Sequence, residues 1–500
     1  MNKVSVNPSL ASRSFSGLAW VSSGSAISSV LKIGVVAVLA RLVTPEQFGV
    51  VSAVLVVSAF ADVFGQLGVA PALVQKDEVT AEDVATGLAV SLIFGLILGA
   101  GVFLGAPWIA GLFGSSELVQ PLKVVSLIFP LQALGLVSSA LIQRNLGFRS
   151  LSLVDLGSYV FGYSAVAVLL AFFGLGYWSI IFGHLAQTIL ASIGYIVCNP
   201  HPFRVWIYGA SIKELFRFGS GLTLGKLGNY VARNVDYLVV SRTLGQEALG
   251  FYSRAFYLMQ QPTRLIGSVG DRVLFPLFAS IKRERERLAR VFYICTLVVF
   301  LVTSFAAAQI FVLAADLVRI LLGDQWGAVV EPIKLLALSL PFRIAWKSAA
   351  TMIRSQGSTF QLAAWQWSYA FMVLGAALLG SEYGINGVAF LVSVVILINY
   401  IACLLLLKTK YPISLMHDFA IIVKCCIMGM MSGLVTEFLI DIPLIWQGGP
   451  VLRLATGCIV GGTGLLLALL LIDRIFPGDG EWIRSRVLKA LPLRSRVPSG

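Results

Sequence analysis

Apolar runs of about 20 residues recur along the whole chain, and they constrain its fold more than any other feature. Of the 500 residues, 58% are hydrophobic and 12% are charged, whereas soluble domains carry roughly 25% charged residues. A run of this length crosses a bilayer as a helix. Because no hydrophilic stretch is long enough for a soluble domain, the sequence predicts an all-α, polytopic membrane protein.

Charges, glycines and prolines separate about fourteen such runs, each long enough to span a bilayer. We place the transmembrane helices near residues 17–40, 48–75, 84–112, 119–142, 152–173, 178–198, 215–241, 249–280, 291–317, 329–353, 361–380, 386–407, 419–437 and 450–473. No signal-peptide cleavage pattern precedes the first helix, so we expect it to be retained. Lys and Arg concentrate in the loops on the N-terminal side, which predicts that both termini are cytoplasmic. The net charge of +13 is mostly this topology signal, so we expect no nucleic-acid partner.

Two sequence echoes indicate an internal repeat. The segment Pro121–Pro130 recurs at Pro332–Pro341, with Lys123 matching Lys334. A second echo matches Arg41, Glu46, Gly49 and Ser52 to Arg242, Glu247, Gly250 and Ser253. An even number of spans per repeat predicts two lobes of the same orientation. We therefore predict two pseudo-symmetric six-helix lobes, 1–214 and 215–410, an appended helix pair at 411–474 and a basic cytoplasmic tail at 475–500.

Charged residues occur at membrane depth, chiefly in the seventh and eighth spans. A charge at the bilayer centre costs about 2.5–3.5 kcal/mol on insertion scales, so it normally faces a cavity, an ionic partner or a substrate. The polar faces of these spans carry Lys226, Asn229, Arg233 and Asp236, then Gln260, Arg264, Asp271 and Arg272. Lys32 occupies the position of the first repeat that matches Arg233. On the tenth span, Arg343 and Lys347 are like-charged neighbours that repel unless an anion or water lies between them.

Cations outnumber carboxylates in this set, which favours a cavity for an anion. The candidate substrate-binding residues are Lys32, Lys226, Asn229, Arg233, Gln260, Arg264, Arg272, Arg343 and Lys347. Asp62, Asp236 and Asp271 are candidates for proton or sodium coupling, although Asp62 is equally well explained as a neutral buried group or a partner of Lys32. Structural ion pairing or snorkelling is the alternative, which we favour for Arg254 and Lys424 and also weigh for Arg272, at the span ends.

Other polar and aromatic residues have simpler interpretations. We interpret Asp155 as a residue near a helix N-terminus and His184 as a packed, hydrogen-bonded histidine. Trp326 is one of several tryptophans near span ends, as in an aromatic belt. The cysteines and histidines lack metal-ligand spacing, and there is no phosphate-binding loop or hydrolase motif. We therefore expect neither an enzyme nor a cofactor or metal site.

Five segments of the chain resemble one family. They are RLVTPEQFGVVSAV after Ala40, FADVFGQLGVAPALVQ (Phe60–Gln75), GLGYWSIIFGHLAQ (Gly174–Gln187), the long block Phe218–Pro262 and RVLFPLFASI (Arg272–Ile281). The sequence resembles the Wzx-type polysaccharide and O-antigen flippases, in the colanic-acid and exopolysaccharide exporter branch of the multidrug/oligosaccharidyl-lipid/polysaccharide exporter superfamily.

The resemblance implies a flippase of the bacterial inner (plasma) membrane. Its substrate would be an undecaprenyl-diphosphate-linked oligosaccharide repeat unit, moved by alternating access for exopolysaccharide or lipopolysaccharide synthesis. Membrane lipid, H+ or Na+, and polysaccharide polymerase and assembly proteins are the other partners it implies. The Arg and Lys candidates would then bind the diphosphate. The alternative is an ion-coupled multidrug or organic-cation antiporter of the same superfamily, which the excess of cations at membrane depth disfavours.

Overall fold

The fold is that of a computed structural model, which describes residues 28–65, 69–76, 78–355 and 359–476. Within these ranges, the side chains of 61–65, 210–226, 264–273, 359–363, 444 and 473 are not described. The described residues form helices joined by short turns and include no strand. The prediction of an all-α protein is confirmed.

The first half of the chain contains nine α-helices among the described residues. They are α1 (28–42), α2 (Pro45–Gly65), α3 (Val69–Gln75), α4 (Ala81–Leu112), α5 (Val119–Val125), α6 (Ile128–Arg144), α7 (Phe148–Gly157), α8 (Ala165–Phe172) and α9 (Tyr177–Cys198). A 3-10 turn, Ser116–Leu118, precedes α5, and a π-helical stretch, Ser158–Ser164, joins α7 to α8.

The second half continues with eleven more helices in the described ranges. They are α10 (Gly209–Ser280), α11 (Arg285–Val312), α12 (Ala314–Leu321), α13 (Val330–Leu338), α14 (Leu340–Ser355), α15 (Thr359–Ser381), α16 (Gly384–Lys410), α17 (Leu415–Ile440), α18 (Pro443–Gln447), α19 (Gly449–Leu470) and α20 (Ile472–Ile475). A 3-10 segment, Asp324–Val329, precedes α13.

Eight helical segments of the described residues are long and apolar enough to cross a membrane. They are Ala81–Leu112, Ser116–Arg144, Phe148–Phe172, Tyr177–Cys198, Arg285–Val312, Gly384–Lys410, Leu415–Ile440 and Gly449–Leu470. The protein is therefore a multi-pass membrane protein. Each predicted span overlaps helix in the described ranges, while the total of about fourteen spans stays a prediction.

Local sequence explains where two of the helices begin or bend. At the start of α4, the Thr80 hydroxyl accepts a hydrogen bond from the Asp83 amide at 3.2 Å. The Asp83 carboxylate in turn accepts from the Thr80 amide at 3.0 Å, which completes a capping box. Within α10, Gly245 has φ 89° and ψ 179°, a conformation that favours glycine. The predicted seventh and eighth spans are therefore two helices that meet at Gly245.

The structure divides into two compact units. The described residues of the first lie within Met1–Arg254, Leu321–Trp326 and Ala363–Val388, and those of the second lie within Ala255–Ile320, Gly327–Leu362 and Ala389–Gly500. In the first unit, α3, α4 and α6 share a core that includes Leu73, Leu88 and Val137, each fully buried. The lobe, helix-pair and tail boundaries predicted from the sequence stay predictions.

In the second unit, α11 packs against α14, α17 and α19. Gly429 of α17 lies directly against the Ser304 backbone of α11. The Gln309 side chain donates to Ser432 at 3.0 Å and accepts from Thr436 at 2.9 Å. Small residues and shared polar side chains are the usual means of joining helices in lipid, where burial of apolar surface gives little driving force.

In the first unit, the residues of the second sequence echo pack against each other. The hydroxyl oxygens of Ser52 and Ser253 are 2.8 Å apart, at a separation of 201 residues. Gly49 lies against the Gln246 backbone, and Gly250 lies against the Pro45 backbone. Because Pro45 matches Gln246 and Gly49 matches Gly250 at that same separation, the contacts are reciprocal. This helix crossing has local two-fold symmetry.

Two loops of the first unit show the same reciprocity. Gly114, with φ 72°, packs against Arg242, whereas Gly323, with φ 101°, packs against Arg41. Arg41 and Arg242 are matched residues of the second echo. The positive φ angles let each loop turn sharply beside the matched helix. The sequence repeat is thus visible as paired contacts between α2, α10 and the two loops.

Trp326 has a different role from the one predicted. Its side chain is fully buried, with ring centroids 5.3 Å from Phe48 and 5.9 Å from Phe251. The indole N–H donates to the Ala40 carbonyl at 2.8 Å. A buried tryptophan requires such an acceptor. The aromatic-belt interpretation of Trp326 was wrong, because the loop that carries it folds into the first unit.

Candidate functional site

The first unit contains a cavity of about 500 Å³ between α2, α4, α6, α7, α9 and the π-helical stretch. Pockets for small ligands have volumes of about 300–1,000 Å³. Its polar lining residues are Ser58, Ser91, Gln132, Ser139, Asp155, Ser158, His184, Gln187, Thr188, Ser192 and Tyr195. Among the described residues, no lysine or arginine lines this cavity. We call it the N-unit cavity.

Asp155 supplies the carboxylate of the N-unit cavity. It lies near the end of α7, which begins at Phe148, so its interpretation as a residue at the helix N-terminus was wrong. The Tyr195 hydroxyl of α9 donates a hydrogen bond to the Asp155 carboxylate. The pair joins two walls of the cavity, since α7 and α9 each contribute one partner.

The π-helical stretch aligns aromatic side chains behind the cavity wall. Tyr159 and Tyr163 stack with ring centroids 5.2 Å apart and an interplanar angle of 19°. The edge of Tyr163 meets the His184 ring at 5.0 Å. Gly162 allows the stretch to approach the Gln187 backbone of α9 closely. π-Helical turns occur frequently at functional sites, and this one fixes the positions of His184 and Gln187.

Lys32 is the sequence-predicted residue that the structure places beside this cavity. Its half-buried ammonium lies 5.4 Å from the Tyr159 ring centroid, which is a cation–π contact. The Lys32 charge also acts electrostatically on Asp155 and His184. The structure therefore places the Lys32 charge within electrostatic range of Asp155 and His184, both of which we had interpreted as structural residues.

Three further candidates form a group in the second unit. The Arg343 guanidinium lies 4.5 Å from the Phe256 ring centroid, and the Lys347 ammonium donates to the Thr263 carbonyl at 2.9 Å. Gln260 lies between Phe256 and Thr263 on α10 and is half-buried. Arg343 and Lys347 of α14 thus contact the same stretch of α10. We call Gln260, Arg343 and Lys347 the cationic group.

The candidates in the α10 portion of the first unit have different environments. Asn229 is half-buried and Arg233 is exposed. Asp236 is 1% exposed and accepts a hydrogen bond from the Tyr252 hydroxyl at 2.7 Å. The remaining candidates have side chains outside the described residues, and their roles stay predictions: Asp62, Lys226, Arg264, Asp271 and Arg272.

Two cations that we interpreted as interfacial have contacts in the structure. Arg254 is half-buried, with its guanidinium 4.7 Å from the Phe48 ring centroid. Lys424 donates to the Ile475 carbonyl at 2.9 Å and is near the Phe476 ring. Arg254 therefore stacks on an aromatic ring of its own unit, whereas Lys424 links α17 to the end of α20.

Comparison with known proteins decides the family. Residues 38–331, more than half of the chain, match the family described as "Polysaccharide biosynthesis protein". The chain belongs to this family. The resemblance to Wzx-type polysaccharide flippases is confirmed.

Two relatives extend the similarity beyond the family match. The chain is 27% identical over 448 residues to the succinoglycan biosynthesis transport protein ExoT of Rhizobium meliloti. This alignment covers 89% of this chain and 90% of ExoT. The chain is also 27% identical over 336 residues to the lipopolysaccharide biosynthesis protein WzxC of Escherichia coli. That alignment covers 66% of this chain and 67% of WzxC.

A solved structure shares this fold over most of its length. The lipid II flippase MurJ, in an inward closed conformation, superposes with a TM-score of 0.70 at 17% identity. The match covers 90% of this chain and 98% of that one. At this identity the match establishes the fold alone, which is that of a polytopic helical membrane protein.

A pattern in the sequence of this family member indicates the polar face that lines the N-unit cavity. In α9, the residues His184, Gln187, Thr188, Ser192 and Tyr195 follow a helical spacing that places them on one face. The same pattern had identified the polar face of the seventh span. Because these residues carry little formal charge, the cost of placing charge in a membrane does not single them out.

Proposed function

We propose that this protein is a flippase that moves lipid-linked oligosaccharide repeat units of a surface polysaccharide across the bacterial inner membrane. The family match over residues 38–331 carries the proposal. Relatives named for succinoglycan transport and lipopolysaccharide biosynthesis align with most of the chain. The fold shared with a lipid II flippase supports a lipid-linked substrate.

The carrier lipid that we propose is undecaprenyl diphosphate, and cationic side chains would bind its diphosphate. Lys32 in the first unit is half-buried, as are Arg343 and Lys347 in the second. A guanidinium forms paired, charge-assisted hydrogen bonds with phosphate oxygens, whereas an ammonium acts as a point charge. Cations at membrane depth are costly, so those that are retained normally have a function. A diphosphate is an anion that suits them.

In our proposal the protein works by alternating access, with both termini in the cytoplasm. A proton or sodium gradient would supply the energy, with Asp62, Asp236 and Asp271 as the coupling candidates. Polysaccharide polymerase and assembly proteins would receive the product. The paired contacts at Ser52 and Ser253 belong to the conformation described here, and we propose that they separate at another stage of the transport cycle.

The antiporter alternative is less well supported. A cavity for organic cations should be rich in carboxylates, whereas the described lining of the N-unit cavity has one, Asp155, which already accepts a hydrogen bond from Tyr195. The named relatives also concern polysaccharide synthesis rather than drug export.

Deletion of the gene tests the proposal in cells. We expect lipid-linked repeat units to accumulate on the cytoplasmic face and the surface polysaccharide to be lost, because synthesis continues without export. Re-expression of the wild-type chain should restore the polysaccharide. Normal surface polysaccharide in the deletion strain, with no accumulated intermediate, would refute the function.

A further inference from the structure

The polar residues of the N-unit cavity fall into two classes by their hydrogen bonds. Four hydroxyls are satisfied by nearby backbone carbonyls: Ser139 by Leu136, Ser158 by Asp155, Thr188 by His184 and Ser192 by Leu131. These side chains need no ligand. They serve to satisfy polar groups inside a helix bundle.

The second class comprises lining residues whose side chains make no hydrogen bond within the described part of the chain. These are Ser58, Ser91, Gln132, Gln187 and the His184 ring. Ser58 and Ser91 are 6% and 2% exposed, and buried polar groups normally have partners. The two amides alone offer donors and acceptors in several directions. Gln132 is exposed and Gln187 is half-buried, so both amides are accessible to a ligand that enters the cavity, while the buried Ser91 hydroxyl lacks a partner among the described residues.

The charge of the lining indicates which ligand chemistry fits. The described lining contains one carboxylate, Asp155, which already accepts from Tyr195, and it contains no lysine or arginine. A phosphate would lack charge-assisted donors there. Hydroxyl groups both donate and accept, as amides, serine and neutral histidine do. An uncharged, hydroxyl-rich ligand is therefore the chemical match.

From this geometry we infer that the N-unit cavity is a carbohydrate-binding subsite, with Gln132 and Gln187 as its principal contacts. The inference rests on the proposed function, since the carbohydrate would be part of the transported lipid-linked glycan. Sugar hydroxyls would bond to Gln132 of α6 and to Gln187 and His184 of α9. Lys32, held over Tyr159 behind the wall, lies outside the lining and is left for the anionic part of the substrate.

Binding of free sugar tests this subsite independently of transport. The probe is the reducing oligosaccharide released from the host polysaccharide, together with its component monosaccharides, titrated against the full-length protein in detergent. We expect saturation-transfer NMR signals from the oligosaccharide with the wild type. Gln132→Leu and Gln187→Leu should each weaken its affinity about tenfold, which corresponds to the loss of one or two hydrogen bonds.

Gln120→Leu is the matched control, because Gln120 is an exposed amide of α5 that does not line the cavity. It should leave oligosaccharide affinity unchanged. Gln187→Ala provides a second variant, and thermal unfolding of each variant establishes that it is folded. Folded Gln132 and Gln187 variants with wild-type affinity would overturn the inference, as would a wild type that binds none of these sugars.

A transport measurement separates this inference from the proposed function. If the wild type flips a lipid-linked glycan but the folded Gln132 and Gln187 variants flip it equally well, the subsite is wrong and the function stands. If the wild type binds free oligosaccharide through Gln132 and Gln187 yet flips no lipid-linked glycan, the subsite stands and the function is wrong. Equal weakening of binding to sugar-free undecaprenyl diphosphate would also contradict a carbohydrate subsite.

Discussion

Asp236 is a buried carboxylate whose environment can be tested with a single substitution. It accepts a hydrogen bond of 2.7 Å from Tyr252, which is itself fully buried. Tyr252→Phe removes the donor and keeps the ring, so we expect unfolding to become about 1–3 kcal/mol more favourable. Thermal unfolding in detergent measures this change. Tyr177→Phe is the control, since Tyr177 makes no hydrogen bond through its side chain in the described residues. Equal stability of the Tyr252→Phe and Tyr177→Phe variants would contradict a structural role for the Asp236–Tyr252 hydrogen bond.

The cationic group gives a prediction about transport. Arg343→Ala and Lys347→Ala should each reduce leaflet transfer of a lipid-linked glycan at least about tenfold, because a charge-assisted hydrogen bond contributes about 1.5–3 kcal/mol. Lys334→Ala is the control, since Lys334 of α13 pairs with Glu331 at 2.7 Å. We expect it to retain nearly full transfer. Wild-type transfer by both test variants would remove the cationic group from the diphosphate site.

Single residues also show where prediction from sequence stops. The cost of charge in a membrane identifies Lys32, Arg343 and Lys347 without any knowledge of the fold. His184 and Asp155 escaped this reasoning because isolated polar residues have many structural explanations. Their shared cavity depends on α7 meeting α9 and on the π-helical stretch, neither of which has a clear sequence signature.

Among the helices, the crossing of α2 and α10 depends on two glycines. A side chain at Gly49 would collide with the Gln246 backbone, whereas one at Gly34 of α1 would meet no atom within 4 Å. Gly49→Ala should therefore destabilise the protein by about 1–3 kcal/mol through overpacking. Gly34→Ala carries the same change in helix propensity without the contact, and it should leave stability unchanged or slightly higher. The midpoints of thermal unfolding compare the two variants, and equal midpoints would argue against the crossing.

The repeat was partly predictable at this scale. Matching Gly49 to Gly250 and Ser52 to Ser253 requires only the sequence, and the structure places those residues together. That matched residues touch one another does not follow from a repeat, since the two copies of a motif can lie far apart. Trp326 illustrates the same limit, because its burial depends on a loop that packs against the Ala40 carbonyl.

For the molecule as a whole, we propose that the Ser52–Ser253 crossing separates during alternating access. We expect the Ser52→Cys/Ser253→Cys variant to form a disulfide in the present conformation, because the two hydroxyl oxygens are 2.8 Å apart. The background must lack the native cysteines: Cys198, Cys295, Cys403, Cys425, Cys426 and Cys458. Oxidation should stop transport, and a reductant should restore it. The single-cysteine variants are the controls, and undiminished transport by the fully cross-linked protein would show that the crossing stays closed.

Leaflet transfer by the purified protein tests the central claim most directly. The full-length chain is reconstituted into liposomes with fluorescent undecaprenyl-diphosphate-linked oligosaccharide, and the fraction accessible to an external glycosidase is followed with and without proton and sodium gradients. We expect transfer that requires the protein, falls in the Arg343→Ala variant and responds to an ion gradient. Transfer no faster than in protein-free liposomes under every gradient would contradict the account.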